Sequence, residues 1–147
     1  MKSKPGIKKV VNSIEDESAS YDSGKDFTTL EAWKKARTVK LYFYNSVLPS
    51  LPIEEKFGLD TQIRKAAIST TANIAEGYGR FHYQEGLQFY RISRASLYEL
   101  KDHLISALDL QYISRPIFDK GIEHIEESKK TLNGYIGFVK RQKPNLK

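Results

Sequence analysis

Apolar residues recur every three or four positions over most of this chain, and nowhere do they alternate with polar ones as a strand requires. Over residues 29–48, Leu30, Trp33, Ala36, Leu41, Tyr44 and Leu48 make one helical stripe, which Val39, Tyr42, Phe43 and Val47 widen. A helix apolar over that much of its circumference is expected to touch more than one neighbour. Thr28 and Glu31 have capping-box spacing at its start, and Pro49 and Pro52 end it. A connection holding one helical turn near residues 53–56 leads to a second helix over about 60–76, with Asp60 or Thr61 as its cap. There Ile63, Ala67, Thr70 and Ile74 form a seam with Ala66, Ala72 and Ala75 beside it, and such small side chains predict a close helix approach. Gly77 is the expected left-handed residue that stops this helix.

The third helix is expected over residues 83–111. Leu87, Tyr90, Leu97, Leu104 and Leu108 carry its main stripe, and Phe89, Leu100, Ala107 and Leu110 a second one. Ser93, Ala95 and Ser96 make it thin in the middle. The fourth begins near Pro116, a favoured first-turn residue, and runs through Phe118, Ile122, Ile125, Leu132, Ile136 and Val139 with one longer gap. Gly121, Gly134 and Gly137 each cost this helix about 1 kcal/mol relative to alanine, and close packing is the expected reason for them. Pro144 is expected to close the domain. Four amphipathic helices on short turns predict an all-α, antiparallel up-down-up-down four-helix bundle.

Composition divides the chain in two. Residues 1–26 mix Lys, Ser, Asp, Glu and Gly, and bury too little apolar surface to offset chain entropy. They are expected to be a disordered or loosely docked tail ahead of a bundle domain over residues 27–147. Their one apolar cluster, Ile7, Val10, Val11 and Ile14, has helical spacing and can dock as a short segment. The tail's five lysines balance its five acids, so the net charge of +6 belongs to residues 27–147. A basic folded domain favours polyanionic partners, nucleic acid first, although small soluble domains commonly carry a net charge of about 2–8.

The absence of cysteine excludes disulfides, cysteine-ligated metals and thiol catalysis, and suits a reducing cytoplasm. No apolar run approaches the roughly 20 residues of a membrane span. Met1-Lys2-Ser3-Lys4-Pro5 is followed by no apolar core, which argues against a secretory signal. There is no glycine-rich phosphate loop and no Gly-x-Ser-x-Gly elbow. His82, His103 and His124 lie far apart; Glu99 with His103, and His124 with Glu127, supply too few ligands for a metal. No cofactor and no metal is expected.

The basic set that stands out is Lys34, Lys35, Arg37, Lys40, Arg64, Lys65, Arg80, Arg91, Arg94 and Lys101, with Tyr42, Tyr78 and Tyr90 close to some of them in sequence. Interleaved cations and aromatics suit phosphate contact with base stacking; a solvated face over core aromatics is the plain alternative. Tyr44 and Tyr90, at stripe positions, are expected in the core. Lys140, Arg141, Lys143 and Lys147 suit the negative end of the last helix.

Three segments resemble the bacterial 23S rRNA intervening-sequence proteins: Leu30-Glu31-Ala32-Trp33-Lys34-Lys35-Ala36; Glu54-Glu55-Lys56-Phe57-Gly58-Leu59 with Gln62-Ile63-Arg64-Lys65-Ala66-Ala67 and the run Asn73-Ile74-Ala75-Glu76-Gly77-Tyr78-Gly79-Arg80; and Ser96-Leu97-Tyr98-Glu99-Leu100. The likeness covers roughly residues 27–141. It departs at Thr71, where the family often has proline, which suggests a straighter second helix here. The resemblance implies a four-helix bundle that assembles as a homo-oligomer, commonly a pentamer, with no catalytic activity established for the family. Its members are encoded within inserts of large-subunit rRNA genes or stand alone. A related protein, the accessory variability determinant of diversity-generating retroelements, binds nucleic acid and a reverse transcriptase through a basic surface.

Asn73, Glu76, Gly77 and Glu99 match the family pattern and are expected to be structural. An acid at the C-terminal end of a helix opposes its dipole, so Glu76 needs a partner, and Arg80 is nearest. Paired carboxylates at Glu76 and Glu99 fit a metal-dependent hydrolase only if they converge. The leading expectation is a non-enzymatic, cytoplasmic protein that binds structured RNA in preference to DNA through Arg64, Lys65, Arg80, Arg91 and Arg94. The alternative is a protein-interaction subunit for a polymerase-like partner.

Overall fold

The computed structural model describes residues 26–80 and 82–142. The expectations for residues 1–25 and for Pro144 lie outside them. The helices are α1 (Glu31–Tyr42), α2 (Leu59–Tyr78), α3 (Tyr83–Asp109) and α4 (Arg115–Lys140), and no strand occurs among the described residues.

The first expected helix proves to be a composite. A 3-10 turn, Phe27–Thr29, precedes α1, and the Asp26 carboxylate accepts from the Thr28 N–H and hydroxyl. Thr28 therefore sits inside a turn, and the expected Thr28–Glu31 capping box does not form; Leu30 is the N-cap without a side-chain bond. Beyond Tyr42 the backbone widens into one π turn, Phe43–Val47, and tightens into a 3-10 turn, Leu48–Ser50. These changes of pitch keep Phe43, Val47 and Leu48 all inside the core.

Asp60 and Thr61 do not cap α2. Glu55 reaches across the connection instead: its Oε1 accepts from the Leu59 N–H at 2.9 Å and its Oε2 from the Tyr112 hydroxyl at 2.7 Å. One carboxylate thus satisfies a free helix-start donor and fastens the α1–α2 connection to the α3–α4 connection. Those two bonds, the backbone one first, hold the Glu55 carboxyl below its ordinary range.

Contacts join α1 to α2, α2 to α3, α3 to α4 and α4 back to α1. Thr70 pairs with Ser93 and Ser69 with Ser96; Arg94 meets Asn133 and Lys101 meets Glu126; Lys35 meets Glu127 and Tyr42 meets Ile117. Numbers fall on one helix as they rise on its neighbour, which is consistent with an up-down antiparallel course. Phe43, Ile63, Ile74, Leu97, Leu100, Leu104, Ile125 and Leu132 fill the centre, each fully buried. The gap in the apolar stripe of α4 is occupied by Ser128 and Lys129, both buried.

The expected left-handed stop at Gly77 is not observed. Gly77 lies buried in the last turn of α2, and Gly79 is the C-cap with a right-handed φ of −74°. The reason for glycine is proximity: a Cβ on Gly77 would stand 2.6 Å from the Tyr90 ring and 2.9 Å from the Gly86 carbonyl oxygen. A Cβ on Gly86 would stand 2.8 Å from the Gly77 carbonyl oxygen. The helix backbones touch here, and no larger residue fits at either position. Among the described residues the left-handed one is Gln111, with φ 63°, just after α3 ends at Asp109, two residues short of the expected end.

Close packing explains Gly121, whose Cβ would meet Leu104 at 2.6 Å, but it does not explain Gly134, which has nothing within 4 Å, or Gly137, which meets only Arg141 at 3.5 Å. Two substitutions should therefore act in opposite directions. Overpacking predicts that Gly77→Ala lowers the unfolding free energy by about 1–3 kcal/mol. Helix propensity predicts that Gly134→Ala raises it by up to about 1 kcal/mol. Urea unfolding monitored by circular dichroism measures both, and equal midpoints for the two variants would contradict the close approach at Gly77.

Candidate nucleic-acid interface

The five cations singled out in the sequence do not share one surface. Arg64 lies on the α1 side of α2, bonded to Asp60 at 2.6 Å and stacked 5.3 Å from the Tyr44 ring centre. Lys65, next to it, is exposed. Arg80 stands at the end of α2, paired with Glu76 at 2.8 Å and lying 4.5 Å from the Phe89 ring centre. Glu76 thus has its partner, and its helix-end charge is offset locally. Arg91 and Arg94 do come together, one turn apart on α3. Arg94 donates to the Asn133 side chain of α4 at 2.8 Å, while Arg91 is exposed and has no ion-pair partner among the described residues.

The seam between α3 and α4 continues from these two arginines. On α3 the column Arg91, Arg94, Tyr98 and Lys101 follows three- and four-residue steps and so lies on one face. Tyr98 is 54% exposed, and the Lys129 ammonium lies over its ring at 3.9 Å. Lys129 is itself only 8% exposed, so its cation reaches the seam from below. Glu126 accepts from Lys101 at 3.0 Å and from Lys129 at 3.3 Å. That shared use, Lys101 first, holds the Glu126 carboxyl below its ordinary range. Lys130 is exposed beside it, and the open backbone at Gly134 leaves no side chain in the way.

Sequence neighbours are thus replaced by spatial ones. Arg80 stacks on Phe89 rather than Tyr78; Tyr90 is buried, 5.1 Å from the Tyr135 ring; the Tyr42 hydroxyl bonds the Ile117 carbonyl at 2.6 Å; Tyr44 is half-buried. Tyr98 and Lys129 are not among the cations and aromatics that stand out in the sequence. The interruption of the α4 stripe at Lys129 is the signal that marks a buried cation there.

The family-pattern polar residues have structural contacts. Asn73 donates to the Ser69 hydroxyl at 2.8 Å and carbonyl at 3.0 Å. Glu99 pairs with His103 at 3.0 Å. Glu76 and Glu99 are each engaged with a nearby cation or imidazole rather than with one another, which removes the premise of the hydrolase reading. Among the described residues no group of three or more His, Cys, Asp or Glu is placed to hold a metal ion. Thr71, where the family pattern often has proline, accepts from the Lys40 ammonium at 3.1 Å and so ties α2 to α1. No helix among the described residues is long and apolar enough to cross a membrane.

These features define a class: an all-helical protein of four helices with a cation-rich seam between two of them. The chain belongs to the 23S rRNA-intervening sequence protein family, whose sequence model matches residues 28–134. No curated protein matches it.

Opposite this seam, between α1 and α4, His124 packs 5.1 Å from the Tyr42 ring. Burial first and then Lys120 lower its pKa; Glu123 opposes them, and Lys35 adds a lesser lowering effect. The fold thus favours neutral imidazole. Stability from this residue is complete above the ordinary value of about 6.5 and is lost as pH falls below it, because the unfolded chain then binds the proton more readily. Urea midpoints should fall between pH 7.5 and 5.5, and His124→Leu should make that fall smaller; an unchanged fall would assign it elsewhere.

Proposed function

We propose that this up-down-up-down bundle is a non-enzymatic, cytoplasmic nucleic-acid-binding protein that engages structured RNA, in preference to DNA, through the α3–α4 seam. The observation that carries the reading is the column Arg91, Arg94, Tyr98 and Lys101 with the Lys129 ammonium of α4 over the Tyr98 ring. It draws cations from two helices around an exposed aromatic ring, with Glu126 as the carboxylate bridging them. Cations at this spacing neutralise successive phosphates, and an exposed ring offers a stacking surface for an unpaired base. Such contacts position a backbone and read little sequence. Arg64, Lys65 and Arg80 extend the basic surface but are separate from the seam.

The family relationship and a second surface support assembly into a homo-oligomer, a pentamer by preference. Ile53 and Phe57, in the α1–α2 connection, are 77% and 88% exposed. They border an open cleft of about 480 Å³ with Leu51, Pro52 and Arg64. Exposure of this degree in two adjacent large apolar side chains marks a contact surface. The same pair favours the second reading, an accessory subunit that docks a polymerase-like protein.

Two measurements separate these readings. In fluorescence-polarisation titrations against a structured RNA and a matched DNA duplex, the double variant R91E/R94E should bind RNA at least about ten-fold more weakly. The slope of log affinity against log salt should flatten by about one for each phosphate that is no longer neutralised. Unchanged affinity and slope would remove the seam from the binding surface. In light scattering, the native protein should have several times the 16.9 kDa chain mass, and Phe57→Asp should lower it. An unchanged mass would give the exposed pair to a different protein.

A further inference from the structure

Cations and carboxylates are unevenly spread over the helices. Residues 32–53 and 61–75, which cover most of α1 and α2, contain no aspartate or glutamate. They hold six cations: Lys34, Lys35, Arg37, Lys40, Arg64 and Lys65. That equals the +6 of the whole chain, so everything outside these two stretches is neutral in sum. α1 and α2 are also the two helices that the α3–α4 seam does not use.

Part of this charge gathers where the two helices meet. Trp33, Arg37, Lys40 and Tyr44 recur at three- and four-residue steps and share one face. Arg64, Ile68, Thr71 and Ala75 do the same on α2. Lys40 reaches Thr71 at 3.1 Å, and Arg64 lies 5.3 Å from the Tyr44 ring centre, so the two faces adjoin. Arg37 lies 5.6 Å from the Trp33 ring centre. A guanidinium held against a ring has less freedom to lose when its fork of donors meets an oxyanion. The carboxylate at this groove is Asp60, bonded to Arg64 at the rim.

Lys40 is the informative residue. Lys34, Lys35, Lys101 and Lys129 each have a carboxylate partner. Lys40 is half-buried, and among the described residues its ammonium has the Thr71 hydroxyl and no carboxylate. Burial first, then Arg37, lower its pKa, and no acid acts against them. A lysine that buries only its stem leaves the ammonium in water. Here the ammonium itself is partly dehydrated beside a second cation, an arrangement that costs stability until an anion joins it.

We propose that the α1–α2 groove is a second binding site, for the phosphate groups of a nucleic-acid strand, with Lys40 at its floor and Arg37 and Arg64 beside it. The proposal rests on the reading of the chain as a nucleic-acid binder and not on the seam. A strand fits better than a lone phosphate because the cations are spaced along the groove. Arg64 is seven residues from Thr71, about 10 Å of helix, and Arg37 is about 5 Å from Lys40 in the other direction. Ile68, 52% exposed between Arg64 and Thr71, offers an apolar contact to a sugar or base.

Trp33 is the only tryptophan of the chain, so its fluorescence reports this groove and not the seam. Full-length protein is titrated with the structured RNA at low salt and read both by Trp33 emission and by polarisation of the labelled RNA. Trp33 emission should change saturably. Lys40→Met should weaken the binding read at Trp33 about ten-fold, the worth of one charge-assisted bond. It should also flatten the salt slope by about one. Its urea midpoint should be no lower than that of the native protein, because it removes an unpaired half-buried charge. R91E/R94E, on the other helices, should leave the affinity read at Trp33 within about two-fold. Arg64→Gln, at the exposed rim, replaces Lys40→Met if that variant does not fold. Constant Trp33 emission while polarisation reports binding would overturn the groove and leave the seam standing. So would a Trp33 signal that Lys40→Met spares. No binding of the native protein in either readout would overturn the groove together with the nucleic-acid reading.

Discussion

The backbone contact between Gly77 of α2 and Gly86 of α3 is the constraint on which the arrangement depends. With no side chain on either glycine, each helix leans its carbonyl edge on the other, and the Tyr90 ring covers the crossing. Tyr90 in turn meets Tyr135 of α4, so the same crossing seats the end of the neighbouring helix. Burial first, and then its bond with Tyr135, raise the Tyr90 pKa far above the ordinary phenol value. The ring therefore stays neutral as it seals this end of the core.

A close α2–α3 pair leaves other helix pairs to be spanned by longer side chains. Ser93 and Ser96 suffice between α2 and α3, whereas Lys101 and Arg94 cross to α4, and Lys35 crosses from α1 to α4. The side where α3 meets α4 is consequently ridged and charged. Exposed ion pairs are individually worth about 0–1 kcal/mol, so the charged ridges contribute little to holding the fold. Packing does that work, and the cations remain open to exchange one partner for another.

Helix number, order and most stripe positions were legible in the sequence, because amphipathic periodicity records which face of each helix is covered. It does not record why a given residue is small. Gly77 looks like a helix stop from the sequence and is a contact point in space; Gly134 looks like a contact point and lies open. Capping failed for a related reason. Thr28, Asp60 and Thr61 have suitable side chains, but the Leu59 N–H is taken by Glu55, a choice set by the path of the connection. Within the end of one helix the sequence correctly paired Glu76 with Arg80. It had no means of joining Tyr98 to Lys129, because that pairing depends on the rotation of α4 against α3.

The π turn at Phe43–Val47 carries a consequence for descent. A residue added to one turn rotates everything beyond it by about 100° around the helix axis, since an α-helix has 3.6 residues per turn. The stretch from Leu48 onward, including the prolines that lead into α2, is therefore in phase with the core only while that extra residue is present. A homologue that lost it would align with a one-residue gap between positions 43 and 47. It would also need a different set of apolar residues at the end of its first helix. Insertion history in this family should thus be written in that short stretch rather than in the loops.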